Sequence, residues 1–312
     1  MKIINNQKGY ITSIMLLLLL IPLIMLMIIV IDEYSHETYN TIKTLESEQI
    51  KSKTEDFENE IITTAKKSLH EVTLEVVTSK KSLTDSQKYL KEHIEMGIRE
   101  KEVKYRKDNV YIDTKIKSVT PSENPFQIEI SYRITSGTNN SDIKIVRDEK
   151  KRVSITDNKY PVYDPLPVLK TGATCTDGRI LYQEKLANYI NLENNDAYSN
   201  VIMPILIREC PFKDYKQHGN DNLTAINCLK NHYYHNSHDG MCLLCRLENR
   251  TSCNHYGFET FIVPTLEYDE APVSIDHVLL NDNDSQYAGN KIKLNNQTLI
   301  YLDDGHKTKY GL

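Results

Sequence analysis

From Met15 to Ile31 every residue is apolar, and the run reaches back to Ile11 with only Thr12 and Ser13 interrupting it. A helix rises 1.5 Å per residue, so a stretch of this length crosses a hydrocarbon core of roughly 30 Å. A cleavable secretion signal has a shorter apolar region of about 7–15 residues, followed by small residues at the cut. Here the run leads into "VIDEYSHETYN", which offers no such site. A buried helix of a soluble core would carry a polar face, and this one has none. Pro22 lies mid-run, where membrane helices tolerate it. The stretch predicts a membrane anchor.

Charge sets the orientation. Lys2 and Lys8 precede the run, while Asp32, Glu33 and Glu37 follow it. Positive charge stays on the cytoplasmic side, which puts the N-terminus inside and residues 32–312 outside. Hydrophobic residues make up 39% of the chain and charged residues 26%, with a net charge of −5, so there is no basic excess to suggest nucleic acid as a partner. About 280 external residues suggest one or two domains.

Beyond the anchor, Phe57, Ile61, Ala65, Leu69, Val72 and Val76 recur every three or four residues and share one helical face. "TSKKSLTDSQ" breaks the helix, with a capping-box pattern at Thr84 and Gln87, and a second helix buries Leu90, Ile94 and Ile98. A helical hairpin and a stalk continuous with the anchor both fit this region. Near residue 108 the period changes. "FQIEISYRIT" alternates, with Ile128, Ile130, Tyr132 and Ile134 on one face, and "NVYIDTKI" and "DIKIVRDEKKRVSIT" flank it across turns. These make an antiparallel meander, which the proline-rich "YPVYDPLPVL" closes.

All six cysteines follow: Cys175, Cys210, Cys228, Cys242, Cys245 and Cys253. An even count in an external region favours three disulfides, whose pairing the spacing does not fix. The competing reading is zinc. Cys242 and Cys245 form a C-x2-C pair, Cys253 and His255 follow, and His232, His235 and His238 lie near, so Cys242, Cys245, Cys253 and His255 are the first candidate ligands. The compartment favours disulfides, so no cofactor is expected, with zinc the alternative. The same C-x2-C could also serve thiol-redox chemistry.

No nucleophile elbow, zincin helix, Walker loop or dinucleotide fingerprint occurs, and Asp276–His277 and Asp303, Asp304 and His306 read as ordinary polar groups; no catalytic residue is assigned. Sequons at Asn139, Asn222, Asn249, Asn283 and Asn296 are glycosylation candidates. "NDNDSQ" at 281–286 lacks the glycine and terminal acid of a calcium loop and reads as a turn.

The N-terminal "KG", short polar segment and long apolar helix resemble the class III signal of type IV pilins and pseudopilins, and the anchor is similar to TadE-like proteins. The resemblance implies cleavage between Gly9 and Tyr10 and lateral packing with other pilin-like subunits. Ile14 stands where major pilins carry glutamate, which points to a minor subunit or one that stays in the membrane. "DPLP" (164–167), "HNSHDGMCLLCRLE" (235–248), "CNHYGFETFIVP" (253–264) and "SIDHV" (274–278) are similar to membrane-anchored proteins of methanogenic archaea, which implies a surface location and no particular activity.

The expectation is an α+β protein: leader 1–10, transmembrane helix 11–31, helical stalk or hairpin 32–106, small antiparallel meander and linker 107–168, and a cysteine-containing α+β module 169–312. It would be a single-pass, pilin-like surface protein with a structural or interaction role. A membrane-tethered metal-binding or thiol-redox domain is the alternative. The membrane and other pilin-like subunits are the expected partners.

Overall fold

A computed structural model describes residues 7–106, 110–138, 143–186, 189, 196–220, 222–264, 272–280, 290–293 and 299–312. Helix α1 (Gln7–Ser79) is unbroken through Pro22, and one apolar stretch near the N-terminus is long enough to span a membrane. Residues 14–45 are exposed, and the first buried side chain is Ile50. Residues 32–49 thus form a mostly exposed helical spacer of roughly 27 Å between the apolar run and the folded part. Of the two expected arrangements the hairpin is the one seen, α1 packing its stripe against α2 (Ser86–Arg106), while residues 32–49 continue α1 toward the apolar run.

The hairpin closes as its periodicity demands. Phe57, Ile61, Ala65, Leu69, Val72 and Val76 are buried against Leu90, Ile94 and Ile98. The cap of α2 belongs to Asp85 rather than Thr84: its Oδ1 accepts the Lys88 N–H at 2.9 Å. Strands β1 (Val110–Pro121), β2 (Gln127–Thr138) and β3 (Lys144–Ser154) form the antiparallel meander in that order. Ile112, Ile116, Ile128, Ile130, Tyr132 and Ile134 face the helices. Thr54 and Ser136, both buried, satisfy each other at 2.6 Å. The outer edge β3 keeps its charges in solvent, where Arg133 bridges to Asp148, a pattern that discourages pairing with another sheet.

The remainder is built from short pieces. Helix α3 (Leu166–Thr171) leads to a small sheet of β4 (Thr174–Thr176), β5 (Arg179–Leu181) and β6 (Ile202–Pro204), with α4 (Asp196–Ser199) between the last two. Helices α5 (Gln217–Asn220) and α6 (Asn222–Asn231) precede a hairpin of β7 (His235–Ser237) and β8 (Gly257–Glu259), and α7 (Leu243–Leu247) lies inside that hairpin's connection. Strand β9 (Phe261–Ile262) pairs with β10 (Val273–Ser274), which runs into α8 (Ile275–Leu279). A final pair, β11 (Asn290–Lys293) and β12 (Leu299–Leu302), precedes α9 (Asp304–Tyr310). Every strand pair is antiparallel, so the architecture is mixed α and β with segregated helices and small sheets.

The core does not stop at the meander. Met241, Leu243, Leu244, Leu247 and Phe258 bury into the same cluster as the α1–α2 hairpin and β1–β2. Helix α7 is also tied by hydrogen bonds to the turn between α1 and α2. Leu83 N donates to the Leu247 carbonyl at 2.9 Å, and Ser86 gives its N–H and hydroxyl to Glu248 Oε1 at 2.9 and 2.7 Å.

Candidate metal centre

A C-x2-C pair across the first turn of a helix turns both sulfurs to one side. Cys242 is the N-cap of α7 and Cys245 lies in it. The chain then reverses through Asn249, which takes a left-handed φ of 53°, and returns with Cys253 and His255. The ends of this loop are clamped by glycines. A Cβ on Gly240 would meet the Phe258 carbonyl oxygen at 2.4 Å, and one on Gly257 would meet the Gly240 oxygen at 2.2 Å, so only bare backbone allows the two strands to cross this closely.

Four donors converge at the mouth of the loop. His255 Nδ1 lies 3.6 Å from Cys242 Sγ, 3.6 Å from Cys245 Sγ and 3.5 Å from Cys253 Sγ, while Cys253 and Cys242 are 3.7 Å apart, sulfur to sulfur. Zinc binds thiolate sulfur at about 2.3 Å and imidazole nitrogen at about 2.0–2.1 Å in a tetrahedron, whose edges are then about 3.8 Å (S to S) and about 3.6 Å (S to N). These four separations match edges of such a tetrahedron, and all four donor atoms lie within 4.8 Å of one another. Cys242 and Cys245 are buried, Cys253 is half-buried and His255 is exposed, so one edge of the centre faces solvent. Hydrogen bonding from the Cys242 thiol and then from Cys245 holds Cys253 well below the ordinary thiol range, while Cys242 and Cys245, which keep their protons to donate, are raised.

None of the six cysteines is bonded to another, so the expected three disulfides are absent from the structure. A disulfide needs about 2.05 Å between sulfurs, whereas the nearest pairs stand at 3.4 Å (Cys210 and Cys228) and 3.7 Å (Cys242 and Cys253). In each pair an imidazole nitrogen lies against both sulfurs, which groups each pair with histidine. Cys175 on β4 is half-buried and belongs to neither group; burial pushes its thiol up. Of the three nearby histidines, His235 joins Cys210 and Cys228 together with His218. His238 packs on Tyr256 at 4.5 Å, and His232 occupies a left-handed turn.

The scaffold beneath the loop is ionic. Arg246, beside Cys245, is wholly buried, and its guanidinium donates to Asp164 at 2.7 Å, to both oxygens of Asp276 at 2.6 and 2.7 Å, and to the Met241 carbonyl at 2.9 Å. It also bonds the Phe258 carbonyl and stacks on that ring at 4.3 Å. The segments 164–167, 235–248, 253–264 and 274–278 thereby meet around one cation. A second buried charge, Glu259, accepts from His306 Nε2 at 2.6 Å, Lys309 at 2.6 Å and the Tyr310 hydroxyl at 2.7 Å, fixing α9 to β8. His306 turns its other nitrogen to Asp303 at 2.9 Å, so within the third Asp/His group (Asp239, His277, His306) both nitrogens of His306 are already engaged by carboxylates.

Of the sequons, Asn249 sits in the reversal of the cysteine loop and Asn222 opens α6; Asn139, Asn283 and Asn296, and the 281–286 turn, lie outside the described residues. Gly9 and Tyr10 fall within α1. The chain matches no protein-family model, no curated protein and no solved structure.

Proposed function

We propose that this chain is a single-pass membrane protein that carries a zinc-stabilised α+β region on the outer side of the membrane, with a structural or binding role. The observation that carries the metal reading is the near-tetrahedral set of Cys242, Cys245, Cys253 and His255. Four protein donors fill the coordination sphere of zinc and leave no position for a substrate, as in structural rather than catalytic sites. The outward orientation rests on Lys2 and Lys8 before the apolar run and the acids after it.

Metal analysis of the full chain purified in detergent tests this. Zinc is expected to co-purify, and Cys253→Ser is expected to lower the content by about one ion per chain; zinc-free protein with reactive Cys242 and Cys245 would move the assignment to thiol chemistry. Protease added to intact cells is expected to cleave beyond residue 32, and digestion only after lysis would reverse the orientation.

The unbroken helix from the apolar run to the buried face of the meander also favours a pilin-like subunit. The anchor of such a subunit can exchange lipid contacts for helix–helix contacts. A mature chain beginning at Tyr10 by mass spectrometry is expected on that reading, and a chain retaining Lys2 removes it.

A further inference from the structure

We propose that Cys210, His218, Cys228 and His235 form a second zinc site, separate from the first and closed to solvent. No short motif announces it: the donors come from the loop after β6, from α5, from α6 and from the first residue of β7. They meet because Cys210 N donates to the Tyr234 carbonyl at 2.9 Å, laying the loop beside the start of β7.

His218 Nε2 lies 3.5 Å from Cys210 Sγ and 3.3 Å from Cys228 Sγ, and the two sulfurs are 3.4 Å apart. One nitrogen of His235 completes the group, all four donor atoms lying within 4.8 Å of one another. These separations are slightly inside the tetrahedral edges of about 3.6–3.8 Å, so a single ion fits with a small outward shift of the sulfurs.

Two further observations point to a ligand. His235 is 2% exposed, yet neither of its ring nitrogens makes a hydrogen bond. A buried imidazole with both nitrogens unpaired is costly, and a metal at the group's centre would engage one of the two. The surroundings are also those of an enclosed centre: Tyr215 and Tyr310 stand edge-on or tilted to both imidazoles at ring distances of 5.0–5.7 Å. Cys210, His218, Cys228 and His235 are all buried, in contrast to the exposed His255 of the first site.

The two sites bracket the β7–β8 hairpin, His235 opening its first strand and His255 standing two residues before its second. The closed site therefore fixes the base from which the open one projects. On this arrangement zinc in the first site exchanges with added chelator, while zinc in the second leaves only when the surrounding segments unfold.

Zinc stoichiometry of the full chain in detergent, with chelator-release kinetics, tests the proposal. About two zinc ions per chain are expected, one released quickly and one slowly. Cys210→Ser/Cys228→Ser is expected to remove about one ion, with Cys242, Cys245 and Cys253 still protected from alkylation. One ion per chain, unchanged by that double variant and lost in Cys253→Ser, would overturn the second site and leave the first. One ion lost in the double variant but retained in Cys253→Ser would overturn the first and leave the second. Should the double variant fail to fold, His218→Cys decides. It retains a tetrahedral donor set, so two ions are expected to remain, and the thiolate-to-metal absorption of the cobalt-substituted protein is expected to rise by about one-fifth as five thiolate ligands become six. No rise in that absorption would overturn the proposal.

Discussion

The hairpin-and-meander region, residues 50–155, and the cysteine-bearing region, residues 205–260, solve the same folding problem by different means. The first has two long helices and three strands of 11–12 residues, each repeating its apolar residues often enough to build a continuous core. The second has helices of 4–10 residues and strands of three, too short to present a full face. It is held instead by buried charges at Arg246 and Glu259 and, on the proposed reading, by metal at the two four-donor groups. The contrast teaches where stability comes from when periodicity fails: a few strong, directional links replace many weak, non-directional ones.

Metal removal should break the comparison most visibly. Structural zinc in small peptides contributes about 10–16 kcal/mol of apparent binding energy, so chelation in mild denaturant is expected to open residues 205–260 to protease while 50–155 resists. Mass mapping of the first cleavage sites checks it; simultaneous loss of both regions would mean that the shared core around Leu243 and Leu247 dominates.

Arg246→Ala leaves Asp164 and Asp276 buried without their cation, and a loss of about 3–5 kcal/mol is expected. Arg246→Ala combined with Asp164→Asn and Asp276→Asn should recover part of that loss in denaturant unfolding, because the uncompensated charges are gone. Leu69→Ala empties a fully buried site between the helices and the meander, with an expected cost of about 2–5 kcal/mol and no change in metal content.

The Glu259–His306 link should show a pH signature. Burial opposes charging of His306, but its bonds to Glu259 and Asp303 outweigh this and raise it to about 9. A base held above its unfolded value of about 6.5 adds stability that is complete below that pH and is lost as pH rises through 9. Thermal stability is therefore expected to fall between pH 7 and pH 10, and His306→Gln should flatten that slope. At the small end, Asp148→Asn on the exposed face of the meander should leave stability and metal content unchanged within error, since solvent-facing ion pairs contribute little.

How much of this could be read from residues alone follows the same division. The stripe from Phe57 to Val76 and the alternation in 128–134 are long enough to reveal their period, and the helices and strands stand where the pattern put them. The first donor group was legible as an alternative through its C-x2-C and the nearby Cys253 and His255, beside the disulfides that the compartment favoured. The second was not: gaps of seven, nine and six residues separate its donors, and only the fold brings Cys210 beside Tyr234 and His218 beside Cys228. The partners of Arg246 were illegible for the same reason, being distant in sequence and buried by packing rather than by any local signal. Asp85 replaced Thr84 as cap because the choice between adjacent polar residues depends on where the preceding turn releases the chain.

The mostly exposed stretch of α1 between the apolar run and Ile50 fixes more than a height. Because a helix turns about 100° per residue, removing two residues from 32–49 would lower the folded part by about 3 Å and swing it through more than half a turn. Removing seven would lower it by about 10 Å and bring it back to within about 20° of its original heading. On the single-pass reading, which side of the folded part looks along the membrane, and which looks away, is thus a matter of angular phase, set by the length of a segment whose side chains are mostly exposed.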